Sequence, residues 1–181
     1  MSERNPFKVL ATRVVYDNPW IGVSEHRIEK PRGGEGIYGV VHFKHRAIGV
    51  VPYENGEVWL VGQYRLPLAL YSWEIPEGGA PFDEDPEACA RRELEEETGL
   101  RAGRIEHLFS MHLSNSVSDE LAHVYLATEL RAGVSAPEDT EELVVRRLPL
   151  RDVYERVLRG EITDSITVAA TFRLMLIEQG R

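Results

Sequence analysis

Short runs of β-branched and aromatic residues, separated by turn residues, make up the first third of the chain. This pattern is typical of strands. Within residues 8–44 it predicts a three-stranded meander, because Asn18-Pro19 and the glycine-rich stretch 31–36 interrupt the apolar runs. The strands are expected at 8–17, 20–30 and 37–45. Three strands alone seldom form a stable unit, so this segment is expected to pack on the main domain or on a second subunit.

The strand pattern continues beyond residue 45. Residues 46–54 and 57–65 are apolar runs that meet at Asn55-Gly56, a strong signal for a hairpin. A short strand at 70–76 leads into a glycine turn at 77–81, where the backbone can approach a ligand closely. Later strands are expected at 104–113, 120–130 and 142–150.

Helical signals follow the glycine turn and return near the end of the chain. Asp85 is a good N-cap, Pro86 suits the first helical position, and Gly99 suits the left-handed residue after the last turn. Two more helices are expected at 151–160 and 164–178, the second of them capped near Asp164 or Ser165. Strands, a helix, more strands and two terminal helices predict an α/β fold, a mixed sheet with helices on both sides.

Composition narrows the class of protein. The 181 residues carry a net charge of −9, which disfavours nucleic acid and anionic membranes as partners. Cys89 is the one cysteine and is interpreted as a core residue. The first eight residues contain no apolar stretch like that of a signal peptide, and no run approaches the roughly 18 apolar residues of a membrane span. A cytoplasmic protein without a membrane segment is expected.

The helix predicted after Asp85 is rich in carboxylates. A helical period places Glu93, Glu96 and Glu97 on one face and turns Glu95 away. Three like charges on one face repel each other, whereas hard divalent cations favour carboxylate oxygens. The helix is therefore interpreted as a metal platform for phosphate chemistry. The alternative is a solvated acidic face.

The spacing of Gly78, Glu84 and the run 92–100, which reads RELEEETGL, resembles the Nudix box, and every fixed position of that motif is filled. The resemblance implies a Nudix α/β/α sandwich with a mixed sheet at 46–181. It also implies a small N-terminal antiparallel β-sheet at 1–45, which serves dimerisation.

The same resemblance assigns roles within the box. It implies that Mg²⁺ or Mn²⁺ is bound by Glu93, Glu96 and Glu97, with a backbone carbonyl near Gly78. Glu97 is also counted as catalytic. Structural roles fall to Glu84, Arg92 and Gly99. The chemistry implied is attack of water on a phosphorus of a diphosphate.

A further carboxylate is expected to activate the water. The segment 137–145 resembles the acidic loop of ADP-ribose and nucleotide-sugar pyrophosphatases, which makes Glu141 the first candidate and Asp139 and Glu138 the next. Glu120 is a rival, because 114–120 resembles the Ser-Asp-Glu loop of the family. For the segment 137–145 the alternative is an ordinary acidic surface loop.

Two stretches, Gln63-Tyr64-Arg65 and 73–79, resemble the ADP-ribose and nucleoside-diphosphate-sugar branch, which forms intertwined homodimers. Arg65 is a candidate for substrate phosphate, and a salt bridge to Glu74 is the alternative. Trp20 is a candidate for stacking on a base, and packing is its alternative.

One departure from the branch lies at 115–120, which lacks the proline and glycine that ADP-ribose pyrophosphatases commonly carry there. This leaves GDP-mannose and other nucleotide sugars open as substrates. The function inferred is hydrolysis of a nucleoside diphosphate sugar to a nucleoside monophosphate and a sugar phosphate. The alternatives are a (d)NTP or RNA 5′-end pyrophosphohydrolase, a non-catalytic domain that senses a nucleotide sugar, and a helix that binds metal only for stability.

Overall fold

The computed structural model describes residues 4–136 and 142–180. The chain divides into two compact units. The first consists of the segment that ends at His45 together with His112–Leu121. The second consists of Arg46–Met111 and the segment that begins at Ala122.

The first unit contains a three-stranded antiparallel sheet in the order β1-β2-β3. Its strands are β1 (Lys8–Asp17), β2 (Ile21–Glu29) and β3 (Glu35–Phe43). The turn between β2 and β3 contains Gly33 and Gly34 at φ of 88° and 80°, which only glycine adopts without strain. The meander predicted for 8–44 is thus confirmed.

The strands of the larger sheet are β4 (His45–Glu54), β5 (Glu57–Arg65), β6 (Leu70–Glu74), β7 (Glu77–Pro81), β8 (Leu100–His112), β9 (Leu121–Ala132) and β10 (Val144–Pro149). The order is β10-β5-β4-β9-β8, with β6 beside β5 and β7 beside β4. Strand β4 runs antiparallel to β5 and parallel to β9, so the sheet is mixed, as predicted.

Two segments differ most from the sequence prediction, whereas the other element ends shift by at most two residues. Residues 77–81, predicted as a glycine turn, form strand β7, because the backbone of Gly78 and Gly79 stays out of the left-handed region and pairs with β4. Strand β8 begins at Leu100 rather than at 104, since the chain enters the sheet directly after Gly99.

The α-helices of the described residues are α1 (Pro86–Thr98), α2 (Leu150–Leu158) and α3 (Ser165–Glu178). Asp85 Oδ1 accepts a hydrogen bond from Ala88 N at 3.0 Å, and Gly99 ends α1 at φ 68°. Asp164 Oδ2 caps α3 by accepting from Thr167 N at 2.7 Å. The predicted ends of α1 and the cap of α3 are confirmed. None of the helices that the structure describes is long and apolar enough to cross a bilayer.

Helices cover both faces of the larger sheet. Ile48 and Val50 of β4 belong to the buried cluster that α1 joins through Cys89, Ala90 and Leu94. Gly49 lies between them in the chain and therefore points to the other face. A Cβ added there would lie 2.8 Å from Ile166 Cγ2 of α3. The sheet with helices on both sides is thus confirmed. Burial also raises the pKa of the Cys89 thiol to about 12, which agrees with the interpretation of Cys89 as a core residue.

Candidate active site

Helix α1 directs its carboxylates in two directions. Glu93 and Glu97 are buried, with 9% and 2% of their surface exposed, and Glu96 is half-buried beside them. Glu95 instead accepts a hydrogen bond from Arg101 Nε at 2.7 Å and one from Val134 N at 3.3 Å. The helical period therefore separates Glu95 from the other carboxylates, as the sequence pattern predicts.

Arg92 connects three carboxylates through one guanidinium group. Its Nε and Nη2 donate to the two oxygens of Glu84 at 3.2 and 3.1 Å. Its Nη1 donates to Glu93 Oε1 at 2.7 Å and to Glu96 Oε2 at 3.0 Å. The hydrogen bonds that Arg92 donates to Glu84, together with the charge of Glu93, raise the pKa of Arg92, although burial opposes them. The planar fork of arginine suits this role, because it fixes direction as well as charge.

The backbone of β7 lies directly against the carboxylates of α1. Glu77 N donates to Glu97 Oε2 at 3.1 Å. A Cβ added to Gly78 would lie 2.0 Å from Glu93 Oε1, so no larger residue fits there without movement of the carboxylate. Glycine is needed at 78 for this close approach rather than for a left-handed conformation.

A polar cluster around the buried Thr167 supports β7 from α3, and no sequence pattern indicated it. Thr167 Oγ1 accepts from Ile75 N at 2.9 Å and lies 3.5 Å from Glu77 Oε1. The pKa of Glu77 is raised well above its usual value by burial and by the charge and hydrogen bond of Asp164. The residues lie far apart in the sequence, and no local pattern couples the cap of α3 to Glu77. The cluster anchors the strand that carries Gly78.

Arg65 forms the salt bridge that was its alternative assignment. Its Nε lies 3.1 and 3.0 Å from the two oxygens of Glu74, whose side chain is 3% exposed. Burial lowers the pKa of Arg65, but the hydrogen bond and charge of Glu74 outweigh it, and the pKa is raised overall. Substrate phosphate as a further partner of Arg65 stays a prediction.

The candidates outside α1 fall into two groups. Glu141, Asp139 and Glu138 lie outside the residues that the structure describes. Glu120 is half-buried in the N-terminal unit, where burial and the charge of Asp119 raise its pKa. Trp20, in the same unit, is 67% exposed, so tight packing does not account for it.

A divalent cation, implied by the resemblance, requires oxygen ligands that can converge. Glu93, Glu96, Glu97 and the backbone at Gly78 supply that chemistry at one place, the contact of α1 with β7. Within 4–136 and 142–180, however, no three Asp, Glu, His or Cys side chains are already grouped as the ligands of one ion. These oxygen ligands are therefore of the type that a hard cation binds. They are not arranged around one ion position, because Glu93 and Glu96 are hydrogen-bonded to Arg92.

Two family models match the chain. A model of the NUDIX domain matches residues 43–167, which is more than half of the chain. A model of the nucleoside diphosphate sugar hydrolase N-terminal domain matches residues 7–41. The two matches together span the strands of the N-terminal sheet, the box and the start of α3.

Individual proteins agree with these models. The chain is 32% identical over 179 residues to an ADP-ribose pyrophosphatase of Mycobacterium tuberculosis, covering 96% of this chain and 86% of that protein. It is 34% identical over 133 residues to a GDP-mannose pyrophosphatase of Cronobacter sakazakii, covering 68% and 69%. A crystal structure of an ADP compounds hydrolase superposes with a TM-score of 0.88 over 99% of this chain and 98% of that chain, at 20% identity, and so shares the fold.

Proposed function

Because the chain belongs to the Nudix family, we propose that it hydrolyses the diphosphate bond of nucleoside diphosphate sugars to a nucleoside monophosphate and a sugar phosphate. The observation that carries the proposal is the carboxylate face of α1, held by Arg92 and packed on Gly78. The matched N-terminal domain and the pyrophosphatase relatives support the substrate class.

The residues of α1 and β7 have different proposed roles in metal binding and in orienting the metal ligands. Glu93, Glu96, Glu97 and a carbonyl near Gly78 would hold Mg²⁺ or Mn²⁺. When bound, such an ion neutralises charge on the diphosphate and lowers the pKa of water. Arg92 and Glu84 fix the directions of Glu93 and Glu96. Gly99 ends the helix, so that β8 can start at once.

Water activation is assigned to a carboxylate outside α1. Glu141 is the first candidate and Asp139 the second, on the resemblance of their loop to that of nucleotide-sugar pyrophosphatases. Glu120 is assigned to substrate, together with Arg65 and Trp20. The raised pKa of Glu120 supports a site that water only partly solvates.

The assembly and location belong to the same proposal. Val14, Trp20 and Ile37 of the N-terminal unit are 71%, 67% and 72% exposed, which supports a second copy of the chain as their cover. We propose a homodimer in the cytoplasm. The net charge of −9 supports the absence of nucleic-acid and membrane partners.

The test is phosphate release from ADP-ribose, GDP-mannose, ADP-glucose, UDP-glucose and dNTPs, with Mg²⁺ or Mn²⁺ and a coupling phosphatase that acts only on the freed monophosphates. Two matched variants of α1 separate the chemistry from the fold. Glu97→Gln should abolish release, whereas Glu95→Gln should retain it, because Glu95 is turned toward Arg101. Turnover of dNTPs without turnover of sugars would overturn the substrate class. Ligand binding without any turnover would indicate a sensor, and equal activity of Glu97→Gln would refute the metal platform.

A further inference from the structure

One face of the N-terminal sheet carries a row of polar side chains. In the strand register Thr12 of β1 pairs with His26 of β2, and Ser24 pairs with Val40 of β3, two residues before His42. Alternate residues of a strand share a face, so Thr12, His26, Ser24 and His42 lie on the same side. This row of four side chains therefore runs diagonally across the three strands.

These side chains are linked by hydrogen bonds from end to end. Thr12 Oγ1 lies 2.8 Å from His26 Nδ1, and His26 Nε2 lies 3.0 Å from Ser24 Oγ. Ser24 Oγ lies 2.8 Å from His42 Nε2, and His42 Nδ1 lies 2.6 Å from Asp119 Oδ2. Ser24, in the middle, is 4% exposed. Its hydroxyl therefore depends on the two imidazoles for its hydrogen bonds.

The chemistry of these groups gives the chain one direction when both imidazoles are neutral. Asp119 is an acceptor, so His42 carries its hydrogen on Nδ1 and accepts at Nε2. Ser24 has one hydrogen, donates it to His42, and accepts from His26 Nε2. His26 then accepts at Nδ1 from Thr12. Every donor meets an acceptor, and reversal of any one link would leave two hydrogens or none in a neighbouring contact.

The hydrogen-bond chain ends at Asp119, which belongs to a loop, Ser114–Asp119, that is bonded to β3. The carboxylate of Asp119 also accepts from Phe43 N at 3.1 Å, and Asp119 N donates to Val41 O at 3.2 Å. Val41 N donates to Val117 O at 2.8 Å, and the Tyr38 hydroxyl donates to Ser116 O at 2.7 Å. Glu120 follows directly after this anchor, so the position of Asp119 limits where Glu120 can lie.

We propose that Thr12, His26, Ser24 and His42 form a directional hydrogen-bond chain that positions Asp119 and, through it, Glu120 for the substrate. They are positioning residues, because His42 bonds Asp119 and the other three act through His42. The role of Glu120 rests on the proposed function, whereas the direction of the chain does not. Partial burial raises the pKa of Asp119, but the hydrogen bonds from His42 and Phe43 outweigh it and lower the pKa, which keeps this end of the chain an acceptor.

The direction is tested by ¹⁵N–¹H correlation spectra of the imidazoles in the whole protein at pH 8, above the usual histidine pKa of about 6.5. The expected result is the Nδ1–H tautomer for His42 and the Nε2–H tautomer for His26. Ser24→Ala should loosen both preferences. The opposite tautomer at either histidine, or a cationic His42, would overturn the chain. This measurement does not depend on activity, so it distinguishes failure of the chain from failure of the proposed function.

The positioning role is tested by two substitutions that each keep one end of His42. Asparagine places an amide nitrogen near the position of Nδ1, so His42→Asn retains a donor for Asp119. Glutamine places its amide nitrogen near Nε2, so His42→Gln loses the donor. The KM for the nucleoside diphosphate sugar that the phosphate-release panel shows to be hydrolysed fastest should rise about tenfold in His42→Gln and less than threefold in His42→Asn, with kcat less affected. Ser110→Ala is the control, because Ser110 Oγ lies 2.9 Å from both His107 Nε2 and His123 Nδ1 but contacts no carboxylate there. Equal KM values for the Asn and Gln variants, or an equal rise in Ser110→Ala, would overturn the positioning role.

Discussion

Arg92 and Gly78 are the two residues on which the geometry of the carboxylate face depends most directly. Arg92 sets the orientation of three carboxylates, because Glu84, Glu93 and Glu96 all accept hydrogen bonds from its planar guanidinium. Gly78 contributes space, because its backbone occupies the position where any side chain would meet Glu93. Charge alone replaces neither function.

Arg92→Lys should lower kcat/KM by about tenfold or more, although the positive charge is kept. A lysine has no planar fork, so it cannot bond both oxygens of Glu84 and still reach Glu93 and Glu96. Steady-state kinetics of this variant are compared with those of Arg91→Lys, whose parent residue pairs with Glu87 on the exposed side of α1. Equal losses in the two variants would contradict the directional role.

Gly78→Ala should reduce activity more than it reduces stability. The added methyl group meets the Glu93 carboxylate, which must move, and overpacking costs about 1–3 kcal/mol. Gly39→Ala is a matched control, since a Cβ there meets no atom within 4 Å. The measurements are kcat/KM and thermal melting, and full activity in Gly78→Ala would show that Glu93 can move freely.

At the scale of elements, β7 lies between two helices that act on it differently. Helix α1 presents Glu93 and Glu97 to its backbone, and α3 holds the residues around it through Thr167 and Asp164. A substitution on α3 can therefore affect the carboxylates of α1 without contact with them.

Thr167→Val should destabilise the protein by about 1–3 kcal/mol, because it keeps the shape of the side chain and leaves the buried Ile75 N without its acceptor. A loss of this size corresponds to a decrease in Tm of roughly 2–12 °C in a chain of this length. Thr167→Ser keeps the hydroxyl and should recover most of the loss in a calorimetric scan. If the serine and valine variants had the same Tm, the hydrogen bond to Ile75 N would not contribute to the stability of the protein.

Glu77→Gln should change how stability depends on pH. Burial and Asp164 raise the pKa of Glu77 in the folded state, so its contribution is fully present below the unfolded pKa of about 4.3 and is lost as pH rises through the folded value. Glutamine stays neutral, so the variant should gain Tm relative to the wild type as pH increases. Melting curves from pH 4.5 to 9 test this. Parallel curves would show that Glu77 is ionised in the folded protein as it is in the unfolded chain, which would contradict the raised pKa.

At the scale of the whole molecule, the N-terminal unit exposes apolar side chains that a partner could cover. Exposed apolar side chains of this unit, Val14, Trp20 and Ile37 among them, accompany an otherwise acidic chain of net charge −9. Apolar surface of this kind is typical of an interface, whereas net charge opposes unspecific association.

The protein should elute as a dimer in size-exclusion chromatography with light scattering. Ile37→Glu should shift it toward monomer, because a charge would be buried in the interface. Val134→Glu is the matched control, since Val134 is 71% exposed in the other unit. A wild-type monomer, or dissociation by Val134→Glu alone, would contradict the proposed assembly.

Local patterns were enough for most of the fold. The caps of α1 and α3 and the three-stranded meander follow from residues within a few positions of one another, because hydrogen bonds at helix ends and alternation along strands are local. The separation of Glu95 from Glu93, Glu96 and Glu97 follows from the helical period. The sequence by itself thus determined the elements, the acidic face and, through the spacing of the box, the family.

Only the tertiary structure decided which distant groups meet. The pairing of 77–81 with β4 made a strand of a segment that its glycines predicted to be a turn. The structure also shows the salt bridge of Arg65 with Glu74, one of the two assignments that the sequence left open. Neither the cluster of Glu77 with Thr167 nor the chain from Thr12 to Asp119 has a local signal. Each depends on strand register or helix placement, which bring together groups remote in sequence, and a sequence pattern specifies faces of elements rather than their partners.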